Sequence, residues 1–375
     1  MKKKIAIIGA GIGGLTLANL LQKNSDFKFI IYEKRETLNL EEGFGLQLAV
    51  NSVSILNQIG FSDLNKSEIY NPEKLDFYSD KEKVCGLDLT QFNSETEKYT
   101  TLKRSSLIKF LKDQLFSNSI RFNRTIENVE QKPNFLKIKF KDGDSEEVDY
   151  LIVSDGVFSQ TKSIIENFIF KPIYYGSVAI RTQIKAEDVS EFKTENISLF
   201  MGAKAHLVSY QVNDSGDMNV VCILRKKFKE NKTIEQLLSE KFVNKNTHLL
   251  SLFKGNLKSW PIYTSSKPIK SILKNVFYIG DAFYTFPPTL AQGASQSIES
   301  AKEIYDLLIG KKHNIENIYY EKRLNKISMI NNRSKLNYFI FHLSSPVLKI
   351  LRNQFLKRLI KSKSFISRYL GKIYN

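Results

Sequence analysis

Lys4-Ile-Ala-Ile-Ile-Gly9-Ala-Gly11-Ile-Gly13-Gly14-Leu-Thr-Leu-Ala-Asn-Leu-Leu21 reads as strand, tight turn and helix. The apolar run is too short for a buried helix. After the glycine cluster the periodicity turns helical, with Leu15, Ala18 and Leu21 on one face. Gly9 permits the turn, Gly11 lets the backbone approach a pyrophosphate, and Gly14 lets the helix sit close to the strand, with the helix N-terminus toward the phosphates. The next apolar run, Phe27-Lys-Phe-Ile-Ile-Tyr32, ends at Glu33, 19 residues beyond Gly14, where a carboxylate can accept hydrogen bonds from ribose hydroxyls. This first βαβ unit is expected to bind a dinucleotide.

The 375 residues are 42% hydrophobic and 25% charged, a composition that excludes a disordered chain and allows one large or two interleaved domains. Cys85 and Cys222 could pair with each other but make neither a metal spacing nor a disulfide framework. With no hydrophobic leader at the start, a reducing cytoplasm is the expected location. No apolar run reaches the roughly 20 residues that span a bilayer. The net charge of +17 is uneven: thirteen lysines and arginines and no acid follow Glu321. Such a tail can favour nucleic acid or anionic lipid. Because no zinc, helix-turn-helix or RNA-binding signature accompanies it, a solvated basic surface and no nucleic-acid partner are expected.

Gly43-Phe-Gly45 leads into a helix expected over Val53–Ile59, and Pro72–Tyr99 reads as strands of a second domain. Arg104 stands in the first turn of a helix running to Leu111, where a cation opposes the helix dipole and is expected to turn toward an anion. Short strands with a turn at Lys141-Asp-Gly-Asp144 precede the buried run Tyr150-Leu-Ile-Val-Ser-Asp155-Gly156-Val-Phe-Ser159. Pro172–Phe228 alternates as an antiparallel sheet does, and helices are expected over Ile234–Phe242 and Thr247–Phe253. A third strand ends at Gly280-Asp281. Pro287 and Pro288 then break the chain before a helix over Gln296–Leu308, whose preceding Gly293 and Ala294 N–H groups can bind an anion or carbonyl. Acids at three strand ends, Glu33, Asp155 and Asp281, suit one ligand lying across the carboxyl edge of one sheet.

Three motifs together resemble the single-component FAD-dependent aromatic-ring monooxygenases, the family of para-hydroxybenzoate and salicylate hydroxylases. They are Gly9-Ala-Gly11-Ile-Gly13-Gly14 with Glu33, Ser154-Asp155-Gly156-Val-Phe-Ser159, and Gly280-Asp281 through Leu290-Ala-Gln-Gly293-Ala294, the last preceded by Trp260-Pro-Ile-Tyr263. The resemblance implies an α/β fold in which a Rossmann-like FAD-binding domain is interleaved with an antiparallel-sheet substrate domain. Residues 1–71, 101–170 and 266–312 would form the first, residues 72–100 and 171–265 the second, and residues 313–375 a basic C-terminal helical region. Gly9, Ala10, Gly11 and Gly14 would cradle the FAD pyrophosphate, Glu33 with its neighbour Lys34 the adenosine ribose, and Val129 the adenine edge. Arg104 would contact the phosphates or ribityl chain, Asp281 the ribityl chain, and Gly293 and Ala294 the pyrimidine edge of the flavin; Asp155 and Gly156 are associated with FAD and the pyridine nucleotide.

By the same resemblance, NADH or NADPH reduces FAD, O2 is captured as a C4a-hydroperoxyflavin, and an aromatic or conjugated substrate is hydroxylated. The chain would act as a monomer or homodimer. His206, Tyr210 and Tyr284 are the catalytic candidates, with Arg181 and Tyr263 as further polar groups; His206 and Tyr210, four apart on a strand, share a face. No metal site is expected. The sequence departs from the family at Phe283, Tyr284, Ala291, Ser295 and Lys162, where Ala, His, Gly, Asn and Arg are usual. Two other readings stay open. One is a membrane-surface flavin hydroxylase or reductase of quinone or isoprenoid lipids, peripheral to the inner face of a membrane through the basic Pro346–Ile360 segment, against which stands a helix packed back on the FAD domain. The other is a flavin-binding regulatory protein with a drifted active site.

Overall fold

A computed structural model describes residues 2–374, apart from 39, 41–43, 81, 186, 188–194, 228–231, 234–235, 239–252, 254–256 and 311. Gly43 and most of the two helices expected over Ile234–Phe242 and Thr247–Phe253 lie outside the described residues. In chain order the first elements are β1 (Lys3–Ile8), α1 (Ile12–Gln22), β2 (Phe27–Tyr32), β3 (Gly45–Leu48), α2 (Val50–Asn57), β4 (Ile69–Tyr70), β5 (Lys74–Ser79), β6 (Glu82–Asp88), β7 (Thr100–Lys103) and α3 (Arg104–Asp113). There follow β8 (Ile120–Arg121), β9 (Ile126–Gln131), β10 (Leu136–Phe140), β11 (Ser145–Val148), β12 (Tyr150–Val153), α4 (Gln160–Ile165), β13 (Ile173–Ile184) and β14 (Ile197–Gly202). The remainder holds β15 (Ala205–Gln211), β16 (Met218–Arg225), β17 (Lys258–Thr264), β18 (Val276–Tyr278), α5 (Gly293–Ile309), α6 (Ile315–Phe341) and α7 (Pro346–Lys361).

The parallel sheet runs β18-β12-β1-β2-β8. Its strands are apolar on both faces because both are covered. Ile5, Ile7, Ile31, Ile152 and Phe277 pack with α1 and α5, while Ala6, Ile8, Leu151 and Val153 face the three-stranded sheet of β9, β10 and β11. Gly14 sets the approach of α1 to β1, since a Cβ there would lie 2.2 Å from the Gly9 carbonyl oxygen. The strand expected over Tyr150–Ser159 ends at Val153, where Ser154 donates to the Ile8 and Gly9 carbonyls and turns the chain away.

The seven-stranded sheet runs β17-β13-β16-β15-β14-β5-β6 and is antiparallel except where β5 and β14 pair in parallel. That exception arises because β5 and β6 come from the early excursion and add to the edge of a sheet built later in the chain. Pro261 sits on edge strand β17, where a missing donor is tolerated. Cys222 is buried in this sheet and Cys85 is also a free thiol, so the two do not pair. Two helices begin earlier than expected: α2 at Val50 and α5 at Gly293. The C-terminal helices are tied down by charge as well as by apolar contact. Arg323 of α6 is fully buried, donating to Gln296 at 2.7 Å and lying 3.5 and 3.4 Å from Glu299 and Glu303 of α5. Helix α7 packs on the seven-stranded sheet rather than on the parallel one, with Arg352 donating to Ser79 Oγ of β5 at 2.7 Å. No helix among the described residues is long and apolar enough to cross a membrane.

Candidate active site

The carboxyl ends of β1, β2, β12 and β18 open onto a groove of about 410 Å³. Gly9, Ala10, Gly11, Glu33, Lys34, Arg104, Asp155, Gly156 and Asp281 all line it, so residues up to 272 positions apart meet at one sheet edge. The turn after β1 is held tightly: Gly9 has φ +99°, and the Ala10 N–H donates to Glu33 Oε2 at 2.9 Å. Glu33 also accepts from the Arg35 N–H at 3.1 Å, which fixes its carboxylate at the end of β2.

The groove fits a dinucleotide. A Cβ would find open space at Gly11 and at Gly156, so both leave backbone bare toward the groove. Helix α1 has no side-chain cap and no acid in its first turn, which leaves its N-terminal N–H groups and positive dipole end available to an anion. Asp155 Oδ2 accepts from the Thr161 N–H at 3.2 Å, but Oδ1 is buried with no protein partner among the described residues, and burial raises the carboxyl's pKa. Asp281 reaches the water of the groove yet is hemmed in by protein. Desolvation pushes its pKa up to about 6, against the pull of Arg104.

A second cavity, about 910 Å³ and mostly apolar, lies between α5, α6, α7 and one face of the seven-stranded sheet. Alternation decides its lining: His206, Val208 and Tyr210 of β15 and Asn219, Val221 and Ile223 of β16 face it, while Leu207, Val220 and Cys222 form a core behind. Gly293 and Ala294 also line this cavity, and α5, like α1, has neither a side-chain cap nor an acid in its first turn. Arg181 lines it too, half-buried, its guanidinium 5.7 Å from the Phe44 ring and 5.9 Å from that of Trp260. Its Nε has no hydrogen-bond partner among the described residues. Burial lowers the Arg181 pKa, and Tyr210 opposes that shift.

His206 is one of a buried pair, its Nδ1 2.7 Å from His342 Nε2. Arg225 Nε donates to His342 Nδ1 at 3.2 Å. A guanidinium can only donate, so His342 Nδ1 carries no proton and its Nε2–H donates to His206 Nδ1. His206 is thereby left with its own proton on Nε2. Burial lowers the pKa of both rings, that of His206 to about 3, and the neighbouring His206 and Arg225 add to the effect at His342.

Three sequence expectations are corrected here. Tyr284 lines neither cavity; its ring is buried in the core, as is that of Phe283, which packs on Tyr319 and Tyr320 of α6. Bulk at these two positions therefore fills the interior rather than the site. Val129 of β9 is buried in the core and does not line the groove, whereas Thr125 and Ile126 do. Tyr263 packs on Phe158 and Tyr174 outside the cavity. Lys162 lines neither space and donates to the Ala282 carbonyl at 2.8 Å, while burial lowers its pKa. Sequence reading missed Arg225, His342 and Asn219, the last accepting from the Gly45 N–H at 2.7 Å. Among the described residues no group of acids, histidines and cysteines could hold a metal.

A glycine-lined groove at a parallel sheet edge, beside a cavity roofed by a second sheet, is the architecture of a dinucleotide-binding α/β protein. The chain belongs to the FAD binding domain family, whose model matches residues 2–311. Its relatives include monooxygenases and hydroxylases of hydroxybenzoates. It is 23% identical over 368 residues to 3-amino-4-hydroxybenzoate 2-monooxygenase PtmB3 of Streptomyces platensis, covering 94% of this chain and 92% of the relative. It is 27% identical over 317 residues to 3-hydroxybenzoate 6-hydroxylase 1 of Aquipseudomonas alcaligenes, covering 80% and 79%. In fold it is similar to Klebsiella pneumoniae HpxO complexed with FAD and uric acid, at a TM-score of 0.82 and 18% identity over 99% of this chain and 96% of that one. A salicylate hydroxylase substrate complex gives 0.77 and 17% identity over 100% and 97%.

Proposed function

We propose that this chain is an NAD(P)H-dependent FAD monooxygenase that inserts one atom of O2 into an aromatic or conjugated ring held in the 910 Å³ cavity. The observation that carries the reading is that one cavity wall holds the bare N-terminus of α5 while the facing sheet presents His206, Tyr210 and Arg181. Gly9, Ala10 and Gly11 at the first turn, Glu33, Lys34, Arg104, Asp155, Gly156 and Asp281 along the groove, and Gly293 and Ala294 at α5 would hold FAD, with Gly14 letting α1 sit close enough to β1 to form that turn. Bound there and reduced by NAD(P)H, the flavin would supply activated oxygen.

The chain's own residues do the rest. Apolar walls exclude water, and the unpartnered Arg181 Nε offers a hydrogen bond to an anionic group of the substrate. The buried pair keeps His206 neutral, with its proton on Nε2. It acts as a hydrogen-bond donor toward a ring oxygen, since an imidazolium does not form there at neutral pH. Tyr210 is placed on the same face, its hydroxyl beside Gln47.

The test is a screen of the flavin-loaded protein against small phenolic acids, following substrate-stimulated NAD(P)H oxidation, oxygen uptake and product mass. A gain of one oxygen atom is expected. A protein that stays colourless with added FAD, or that oxidises NAD(P)H with no substrate giving an oxygenated product, overturns the proposal.

A further inference from the structure

We propose that the outward face of α7 docks on an anionic lipid bilayer and sets the mouth of the large cavity against the lipid. Leu356 and Ile360 of this helix pack inward on the core, yet a second set of large apolar side chains faces solvent. Its most buried side chain is Arg352, while Val347, Leu351 and Phe355, one turn apart on the solvent side, are 65%, 55% and 58% exposed. Leu348 and Ile350 flank them, also exposed. A lone exposed leucine needs no explanation, but a helix face of five large apolar side chains does.

Charge selects the occupant. Helix α7 contains no acidic residue, and past its apolar turns the same outward side carries Lys357, Arg358 and Lys361. An exposed apolar stripe ending in cations matches the boundary between acyl chains and anionic headgroups. A second copy of the chain would bring the same cations together across its interface.

The cavity supplies an independent observation. Leu348, Leu351 and Phe355 of α7 and Leu336 of α6 line it and are also about half exposed, so they form its rim. Its mouth therefore opens within the apolar face, and a lipophilic ring could pass from bilayer to cavity without crossing water. This entry route rests on the hydroxylase reading; the docking does not.

Flotation of the full-length protein with phosphatidylcholine vesicles, with and without one-third phosphatidylglycerol, tests the docking without turnover. The protein is expected to float with the anionic vesicles and to be released by high salt. Leu351→Asp/Phe355→Asp and, separately, Lys357→Glu/Lys361→Glu should each weaken partitioning on the order of tenfold or more. Phe116→Asp, at an apolar side chain 69% exposed elsewhere, should not. Thermal melting establishes that each variant is folded, and the charge-reversal pair serves if the apolar pair is not. The proposal is overturned if the unaltered protein stays at the bottom of the gradient or if both pairs float like it. It is equally overturned if light scattering shows a dimer that Leu351→Asp/Phe355→Asp dissociates and neither form floats.

Discussion

The buried histidine pair makes stability depend on pH in a direction that the structure sets. Arg225 donates to His342, His342 donates to His206, and an added proton on either ring would place donor against donor. Burial works the same way, lowering His206 from 6.5 to about 3. The unfolded chain therefore binds more protons than the folded one between those two values, so the pair's contribution is whole above about pH 6.5 and is lost as pH falls toward 3. At about 1.4 kcal/mol per pH unit, a ring kept neutral loses about 2 kcal/mol of stability between neutral pH and pH 5, and the pair at most about 4 kcal/mol. The assay is chemical denaturation at pH 7.5 and 5.0 for the unaltered protein and for His206→Gln and His342→Gln, which replace each ring with a group that does not titrate. Carboxylates elsewhere titrate alike in all three and cancel in the difference. Each variant should recover about 2 kcal/mol of the loss on acidification. If both keep the original dependence, the rings are not held neutral and the assigned donor at His206 Nε2 has no basis.

Two glycines of one motif should behave oppositely. Gly11→Ala should melt like the unaltered protein yet fail to retain FAD, because its new methyl group enters open groove space; absorbance of the purified protein reads this. Gly14→Ala should cost roughly 3 kcal/mol or more and yield little folded protein, because its Cβ would lie 2.2 Å from the Gly9 oxygen and 2.7 Å from Ser154 Oγ. Ala291 sits at φ +52°, a left-handed conformation that costs an L-residue about 1–2 kcal/mol. Ala291→Gly should therefore raise stability by about 0.5–1 kcal/mol after glycine's greater chain entropy is subtracted, measured as a higher melting temperature. Arg181→Gln should raise KM for an anionic substrate about tenfold to a hundredfold, the loss of a charged hydrogen bond, and leave FAD content unchanged.

What was legible in the sequence follows from the range of the interactions concerned. Gly9, Gly11, Gly14 and Glu33 could be read because turn, helix start and strand end are set by neighbours in the chain, and all but Gly14 line the groove. Asp155 and Asp281 could be read for the same reason, each following an apolar run that pairs in parallel beside β1 or β12. The period of β15 put His206 and Tyr210 on one face, but the period does not say which face is covered. That is decided by α5, α6 and α7, which arrive far later in the chain. Phe283 and Tyr284 misled because they stand beside a motif that does face the site. Their rings turn inward where Tyr319 and Tyr320 of α6 supply a partner, and nothing local announces α6. The His206–His342 contact spans 136 positions and the Arg225–His342 contact 117, so neither leaves a spacing to recognise.

That division has a functional consequence. The groove is made by local signals that any chain binding the same dinucleotide must carry, so its residues report the cofactor and not the substrate. The cavity is made by long-range packing of the seven-stranded sheet on the C-terminal helices, and its polar groups, Arg181, His206 and Tyr210, are each positioned by partners distant in the chain. On the proposed function, substrate choice would reside in a surface that sequence periodicity can place on a strand but cannot orient. A substitution such as His342→Gln, at a residue outside the cavity lining, should alter selectivity toward oxygen-bearing rings while leaving FAD binding intact.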